Sequence, residues 1–599
     1  MIITEEKQFE EFLEVAEKHP IIVYDTETTG LLMYGGDRIV GHSFFIPYNP
    51  EDKDTDGFKC YMPFRHTRGD NLPLTYFKHM ARIFADSRKA LVGWNLRFDT
   101  EMLRNEEITV HNQHMDVMLA AHLANENEFG FSLKGLGAKY VGEDAGTPEK
   151  ILNDKLKRIK QSIDKYHPDK KHRVAKQYMG YLDPSEVADY AIQDVVLTWK
   201  LLKIYQKALE HQGILDIWLE VNQYVKAVVG MERQGLLISP ERCLTNKAEC
   251  ERKCDSIYKK MMKSVGYPFN PRSHPQVSNI LGQKETDRAA LAKCKHPIAR
   301  LLEEYRRWDK AKNTYFTKFL QLKDKHNRIH SHLSMIGTIS GRLSCRKPNL
   351  QALPRKSDTY KVRPVVVAPQ GHALLAVDYS QAELRILAHY TKDPFLLKTY
   401  ENNEDIHQSI ADRVKIDRNI AKRLNFGIVY GLGVNEAMLQ FNLKQKDARQ
   451  LLNDYHAQIP GIRKLYNAID NFAQRHGFIA LWTGRRRHYR KHDETWKAMS
   501  NLIQGGVAEM MRVAITKLED ALMMFNTNMI LQVHDEVLFE VPLDELKMVA
   551  SVVKKIMEDF DFAVPIVAES KVGLSWGEMK PLEESELMPA QGDLFEGVL

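Results

Sequence analysis

Residues 373–385, ALLAVDYSQAELR, open on an apolar run that ends at Asp378, and residues 529–541, MILQVHDEVLFEV, set Asp535 and Glu536 between two alternating apolar runs. Each run has strand character, so each aspartate is presented at a strand end beside a turn. Two such strands side by side would bring Asp378 and Asp535 together. Hard divalent cations prefer carboxylate oxygen, and Mg²⁺ keeps positions for water and phosphate. Two such ions about 4 Å apart can activate an attacking oxygen and stabilise a leaving one. Taken alone, either motif also reads as a solvated hairpin turn.

A third stretch, DRNIAKRLNFGIVYG (417–431), carries Arg418, Lys422, Phe426 and Tyr430 at four-residue steps. On a helix these form one slowly drifting stripe, cationic at its N-terminal end and aromatic at the other. A nucleoside triphosphate has the same polarity: Arg and Lys suit the phosphates, and a ring packs on the sugar or base.

With these three stretches in this order, residues from about 215 to 577 resemble family A DNA polymerases. Around them, GRLSCRKPNLQALP (341–354) resembles the family's duplex-contacting segment, with Arg342, Asn349 and Gln351. DIH (405–407) resembles the start of the fingers, with His407 near the phosphates, and QGGVAEMMR from Gln504 resembles the segment behind the template base. The resemblance implies that Asp378, Asp535 and the Tyr379 backbone hold two Mg²⁺ ions, with Mn²⁺ able to substitute. It implies that Arg418, Lys422 and His407 neutralise the phosphates of a dNTP, that Phe426 and Tyr430 flank its sugar and base, and that His534 touches DNA. Glu383 resembles the family's steric gate against a 2′-hydroxyl; on its own it also reads as a helix-start acid favoured by the dipole. Phe426, where some relatives carry tyrosine, implies discrimination against dideoxynucleotides. Two departures stand out. Ser500, with Asn501 next to it, occupies a position where an asparagine is frequent, and Trp496, with Lys497 next to it, one where an arginine is common.

The N-terminal third carries a second set of acids. HPIIVYDTETTG (19–30) reads as a buried strand ending in Asp25 and Glu27, which face the same way at i and i+2. LVGWNLRFDTEML (91–103) reads as a strand followed by Asn95 and Asp99 at a helix start, and DYAIQDVVLTWKLL (189–202) as a helix with Tyr190 and Asp194 on one face. These segments resemble a 3′–5′ exonuclease of the type with four acids and a tyrosine. The resemblance makes Asp25, Glu27, Asp99 and Asp194 metal ligands and has Tyr190 orient the attacking water. Asp116 resembles another family position and is assigned no catalytic role.

Composition agrees with a multidomain enzyme. The chain has 599 residues, 43% hydrophobic content and a formal charge of +6. That charge is too mild to bind DNA unless clustered, as in DKKHR (169–173), YRRWDKAK (305–312) and GRRRHYR (484–490), each of which also reads as a solvated face. Six cysteines in such a length make no disulfide framework and read as free thiols. No apolar run approaches a membrane span and no signal peptide is present, so a soluble monomer in the cytoplasm is expected.

The expected fold is multidomain α/β: an RNase H-like exonuclease domain over 1–210, then a right-hand polymerase domain over 211–577. Its palm comprises 211–240, 326–392 and 506–577, its thumb 241–325 and its fingers 393–505; 578–599 is a flexible tail. No linker composition separates the halves, so close packing is expected. The chain opens on the exonuclease-like strand, leaving no room for a 5′ nuclease domain. This compactness resembles bacteriophage replicative polymerases, placing the protein in a host bacterial cytoplasm with primer-template DNA and dNTPs as partners. The tail ends in QGDLF, which resembles the peptide by which bacterial replication proteins dock on a sliding clamp, through Gln591, Leu594 and Phe595. Two rivals are a DNA-binding 3′–5′ exonuclease with a non-catalytic polymerase-like half and a DNA-binding scaffold without catalysis. Both fit poorly with two intact aspartates and a triphosphate stripe. A single-subunit RNA polymerase is disfavoured by Glu383 and the proofreading segments.

Overall fold

The computed structural model describes residues 1–31, 33–34, 36–51, 55–142, 146–166, 175–354, 360–490, 494–583 and 585. The chain divides into two compact units. One holds residues 1–229, 335–342 and 386–516, and the other holds 230–334, 343–385 and the segment from 517 onward.

The first unit is built on a five-stranded sheet. Its strands are β1 (Ile21–Thr28), β2 (Ile39–Pro47), β3 (Gly57–Pro63), β4 (Ala90–Gly93) and β5 (Gln113–Asp116), in the order β3-β2-β1-β4-β5. β1 runs antiparallel to β2 and parallel to β4. Every residue of β2 is buried, as expected of a strand covered on both faces. Among the helices around this sheet are α1 (Leu96–Asn105), α2 (Val117–Ala124), α3 (Leu133–Tyr140) and α4 (Pro184–Gln212). α4 starts on a capping box between Asp183 and Glu186 with Pro184 in its first turn, and stops where Gly213 takes a φ of 69°. Trp199 of α4 packs with Val23, Phe45 and Trp218 in one core, while Phe9, Phe12, Phe44 and Phe84 fill another. The expected close packing of N-terminal and later segments is present to this extent: residues 386–516 share the unit with the sheet.

The second unit carries a five-stranded sheet with its own centre. We number its strands β6 (His372–Tyr379), β7 (Asn528–Val533), β8 (Glu536–Pro542), β9 (Ala568–Gly573) and β10 (Lys580–Pro581); their order is β7-β8-β6-β9-β10. The helix Leu546–Glu558 packs on β6 and β9, burying Val549, Val553, Ile556 and Met557. Residues 240–322 are mostly helical, with Pro240–Val265 against Ile298–Lys310. Among the described residues no helix is long and apolar enough to cross a membrane, and Cys60, Cys243, Cys250, Cys254, Cys294 and Cys345 are free thiols.

Candidate metal and nucleotide sites

The sheet of the first unit gathers the N-terminal acids. Asp25 and Glu27 stand on β1, in register with Ser43 and Gly41 of β2, and a bulge follows Glu27. Asn95, in the left-handed region at φ 62°, turns the chain from β4 into α1 and sets Asp99 in its first turn. Asp99 is 2% exposed and accepts from both the Thr26 amide (3.0 Å) and the Thr26 hydroxyl (2.6 Å). Burial and then the charge of Asp25 raise its carboxyl well above the usual range. Tyr190 and Asp194 project from α4 into a pocket of about 150 Å³ that Asp25 and Glu27 also line, beside Gln177 and Phe98. Burial, Glu27 and Asp25 push the Tyr190 hydroxyl up, so it keeps its proton. A charge-crowded set of carboxylate oxygens is the donor chemistry a hard divalent cation takes. Among the described residues, no group of three His, Cys, Asp or Glu side chains is placed to hold a metal ion. Lys134 of α3 reaches the same acids: its ammonium is ion-paired with Asp194 and sits 4.7 Å from the centre of the Tyr190 ring.

Asp116 does other work. It is 2% exposed, caps α2 through the Met118 amide (2.9 Å) and accepts from the Asn95 amide (3.1 Å). Its own amide donates to Asn222 and its carbonyl accepts from the Trp218 indole. Burial raises its carboxyl to about 6 against these hydrogen bonds. Asp116 thus fixes the turn on which Asn95 and Asp99 depend.

In the second unit β6 lies antiparallel to β8, with Asp378 directly opposite Glu536. Val533 pairs with Glu536 across a two-residue turn in which His534 has φ 58°. That turn presents Asp535, whose carbonyl accepts from the Tyr379 amide at 3.1 Å. The two aspartates are therefore brought to one end of one sheet. Asp378 and Asp535 are half-buried. Glu536 is turned inward, accepting from the Trp576 indole (3.2 Å) with Arg363 3.9 Å away. Gln351 donates to the Gln532 carbonyl (3.0 Å), and Gln532 donates to the His534 carbonyl (3.0 Å), bracing the turn from behind. Asn349 caps the short helix Leu350–Ala352. Glu383 lies in the first turn of α5 (Ala382–Thr391).

The stripe segment of the first unit is a helix. Two helices follow each other here, α6 (Ile406–Val414) and α7 (Arg418–Val429), and Tyr430 closes α7. Lys422, Phe426 and Tyr430 line one pocket of about 570 Å³ together with Arg423, Leu432 and Trp496. Arg418 stands outside that lining and pairs with Asp405, the cap of α6. His407 is 3% exposed, with its Nδ1 2.9 Å from the Asn425 amide nitrogen. Burial, with Lys422 and Arg418, lowers the imidazole pKa despite Asp405. His407 therefore packs behind α7 as a neutral ring. Trp496 belongs to the pocket wall, with the Lys497 ammonium 5.0 Å from its ring. Gln504 lies in α9, the helix that follows α8 (Val434–Phe441) among those we number, at Ala498–Ala521; its amide donates weakly to Ser500 (3.4 Å). The carbonyl of Arg342 accepts from the Thr338 hydroxyl at 2.7 Å.

The three consecutive arginines of GRRRHYR bond to the protein itself. Arg485 is buried on Glu509, Arg487 on Glu126, and Arg486 donates to the Gln212 carbonyl. Their partners, two carboxylates and a backbone carbonyl, lie elsewhere in the chain and cannot be read from the basic run. DKKHR and the tail residues Gln591, Leu594 and Phe595 lie outside the described residues.

Comparison with known proteins adds the following. The profile of DNA polymerase family A matches residues 240–578, and that of a 3′-5′ exonuclease matches residues 1–210. DNA polymerase I of Chloroflexus aurantiacus is 28% identical over 94% of the chain, and that of Borreliella burgdorferi 27% over 96%. The chain spans 62% and 64% of those proteins' lengths. The solved POL domain of Pol1 from M. smegmatis, in complex with DNA primer-template and dNTP, superposes with a TM-score of 0.80 at 20% identity, covering 96% of this chain and 99% of that one. At that identity the likeness shows the fold alone; the succession of an exonuclease domain and a family A polymerase domain comes from the two profiles.

Proposed function

The chain belongs to DNA polymerase family A, and from that premise we propose that it is a template-directed DNA polymerase with a 3′–5′ proofreading exonuclease. The observation that carries the reading is the register of β6 and β8, which sets Asp378 opposite Glu536 while the Tyr379 amide holds the Asp535 carbonyl. Nothing in a solvated hairpin asks for two acids braced at one sheet end.

Asp378 and Asp535, with the Tyr379 backbone, would hold Mg²⁺ for synthesis, and Asp25, Glu27, Asp99 and Asp194 would hold it for hydrolysis. Bound divalent cations neutralise phosphate charge and make an attacking oxygen more acidic. The chain's own groups do the rest. Lys422 supplies a cation at the N-terminal half of α7, and Arg418 would leave Asp405 to supply a second. His407 supports α7 through Nδ1 and would turn its other ring nitrogen to the phosphates. Phe426 and Tyr430 offer faces to sugar and base. Glu383 would exclude a 2′-hydroxyl. Tyr190, holding its proton, can donate to or orient a water. Arg342, Asn349, Gln351, Gln504 and His534 would face the primer-template.

In this reading the palm is 211–240, 326–392 and 506–577, the thumb 241–325 and the fingers 393–505. The protein acts as a cytoplasmic monomer. The expected bacteriophage source finds no support in the relatives named above, which are bacterial. The C-terminal QGDLF would tether the enzyme to a bacterial-type sliding clamp through Gln591, Leu594 and Phe595, raising local concentration at the primer end. Binding of peptide 586–599 to such a clamp, lost on Leu594→Ala with Phe595→Ala, tests that tether.

One primer-template gel with Mg²⁺ tests the whole reading. Extension with dNTPs and shortening without them are expected. Shortening alone would favour an exonuclease with a non-catalytic polymerase-like half.

A further inference from the structure

We propose that Lys134 is a positioning residue of the exonuclease site, the resident counter-ion of Asp194 and the clamp on Tyr190, setting both metal affinity and the rate of primer shortening. The inference rests on the exonuclease reading above.

Lys134 is the second residue of α3, whose cap is Ser132, accepting from the Gly135 amide at 3.1 Å. A cation in the first turn of a helix opposes the dipole, so the helix itself does not favour lysine there. The side chain nevertheless leaves solvent: it is 13% exposed, and that of Asp194 is 9% exposed. What draws it in is the acid cluster. A buried carboxylate needs a partner, and the Lys134 ammonium pairs with Asp194. The same ammonium lies 4.7 Å from the Tyr190 ring centre, a cation–π distance. Asp194 and Tyr190 are one turn apart on α4. A single charge from a second helix therefore fixes the carboxylate and the ring together.

Two effects of opposite sign follow. A positive charge on Asp194 repels an incoming divalent cation, so Lys134 weakens metal binding. Its removal also frees the Asp194 carboxylate and the Tyr190 ring to rotate, so chemistry slows even when metal is saturating. A merely structural lysine would not separate these.

The test uses the full chain, Lys134→Met and Lys134→Arg, with thermal unfolding as the check on folding. Mn²⁺ binding is measured by electron paramagnetic resonance without DNA, and single-turnover shortening of a single-stranded oligonucleotide at saturating Mn²⁺. Lys134→Met is expected to bind Mn²⁺ about tenfold more tightly at one class of sites and to shorten DNA about tenfold more slowly. Lys134→Arg should stay near the parent in both. The affinity gain should vanish when Asp25→Ala and Glu27→Ala are added. Unchanged Mn²⁺ affinity in Lys134→Met overturns the proposal, and so does a parental rate at saturating Mn²⁺. If the affinity shift holds but no variant, the parent included, shortens DNA, the exonuclease reading fails while the Lys134–Asp194 counter-ion stands.

Discussion

Glu126 and Arg487, 361 residues apart, share a buried ion pair: the arginine Nη1 donates to Glu126 Oε1 at 2.7 Å, and the His488 amide donates to the same oxygen at 2.7 Å. The other carboxylate oxygen lies 2.9 Å from His488 Nδ1. Asn127 adds its own amide to the His488 carbonyl (2.8 Å), and the Arg490 guanidinium donates to the Asn127 carbonyl. Glu126 belongs to the exonuclease-matched part and Arg487 to the polymerase-matched part, so this pair helps fasten the two parts within the first unit.

Glu126→Gln should therefore destabilise the first unit by about 3–5 kcal/mol, because Arg487 is left buried without its charge partner. Burial opposes the charge on Glu126, but the hydrogen bond and charge of His488, with Arg487, outweigh it and hold the carboxyl below its usual range. Stability from this group is full above the ordinary glutamate pKa and is lost as pH falls through the lower folded value. Urea unfolding of parent and variant checks both. Equal midpoints at pH 7 would mean that the pair contributes nothing net.

Glu509 gives a second, steeper case. It is 1% exposed and takes Arg485 (2.9 Å), Thr483 (3.0 Å) and both Arg512 nitrogens (2.9 and 3.1 Å). Burial is overcome by Arg512 and Arg485, which bring its carboxyl down to about 2. Its stabilisation is present above the ordinary glutamate value and fades only as pH drops from about 4.5 toward about 2. Glu509→Gln should cost about 3–5 kcal/mol at pH 7 and progressively less in that acid window. A cost that stays constant down to pH 3 would contradict the ionised pairing.

The two acid sets stand on different sheets, so their activities should separate. Asp25→Ala with Glu27→Ala should abolish shortening while extension stays within about twofold, and Asp535→Ala should do the reverse. Each lost metal ligand removes charge stabilisation of several kcal/mol, enough for a drop of about 10³-fold or more. Loss of both activities from either variant, with unfolding midpoints intact, would contradict two independent sites.

Much of this was legible along the chain because the deciding signals are local. An apolar run ending in an acid makes a strand with a tip, and a four-residue stripe makes a one-sided helix; both β6 with Asp378 and α7 with Lys422, Phe426 and Tyr430 follow. Signals were lost where a charge takes its partner from far away. Arg485, Arg486 and Arg487 read as a basic surface because Glu509, Gln212 and Glu126 are invisible from within GRRRHYR. Lys134 goes unremarked in the sequence for the same reason: its partner Asp194 is 60 residues away. His407 reads as a phosphate ligand, and its Nδ1 contact with Asn425, one helix later, is not visible from DIH alone. Trp496 stood out only as a departure, and its place in the pocket of α7 depends on the fold of α9's approach.

The last prediction concerns the sugar. Gln381, at φ 57°, turns the chain from β6 into α5, and Arg385 pins that turn by donating to the Ser380 carbonyl (2.9 Å) and the Pro565 carbonyl (2.5 Å). The backbone under Glu383 is thus held from both sides, just beyond the strand that carries Asp378. A carboxylate on so fixed a base can exclude volume, whereas one on a mobile loop would step aside. Glu383→Ala should raise the kcat/KM for ribonucleotides relative to deoxyribonucleotides by about tenfold or more, since selectivity against an added hydroxyl needs a rigid obstacle or an unmet polar group. Glu383→Gln, which keeps the volume and removes the charge, should retain most of the discrimination. If Glu383→Ala selects as the parent does, the carboxylate is a helix-start acid and the sugar is read elsewhere.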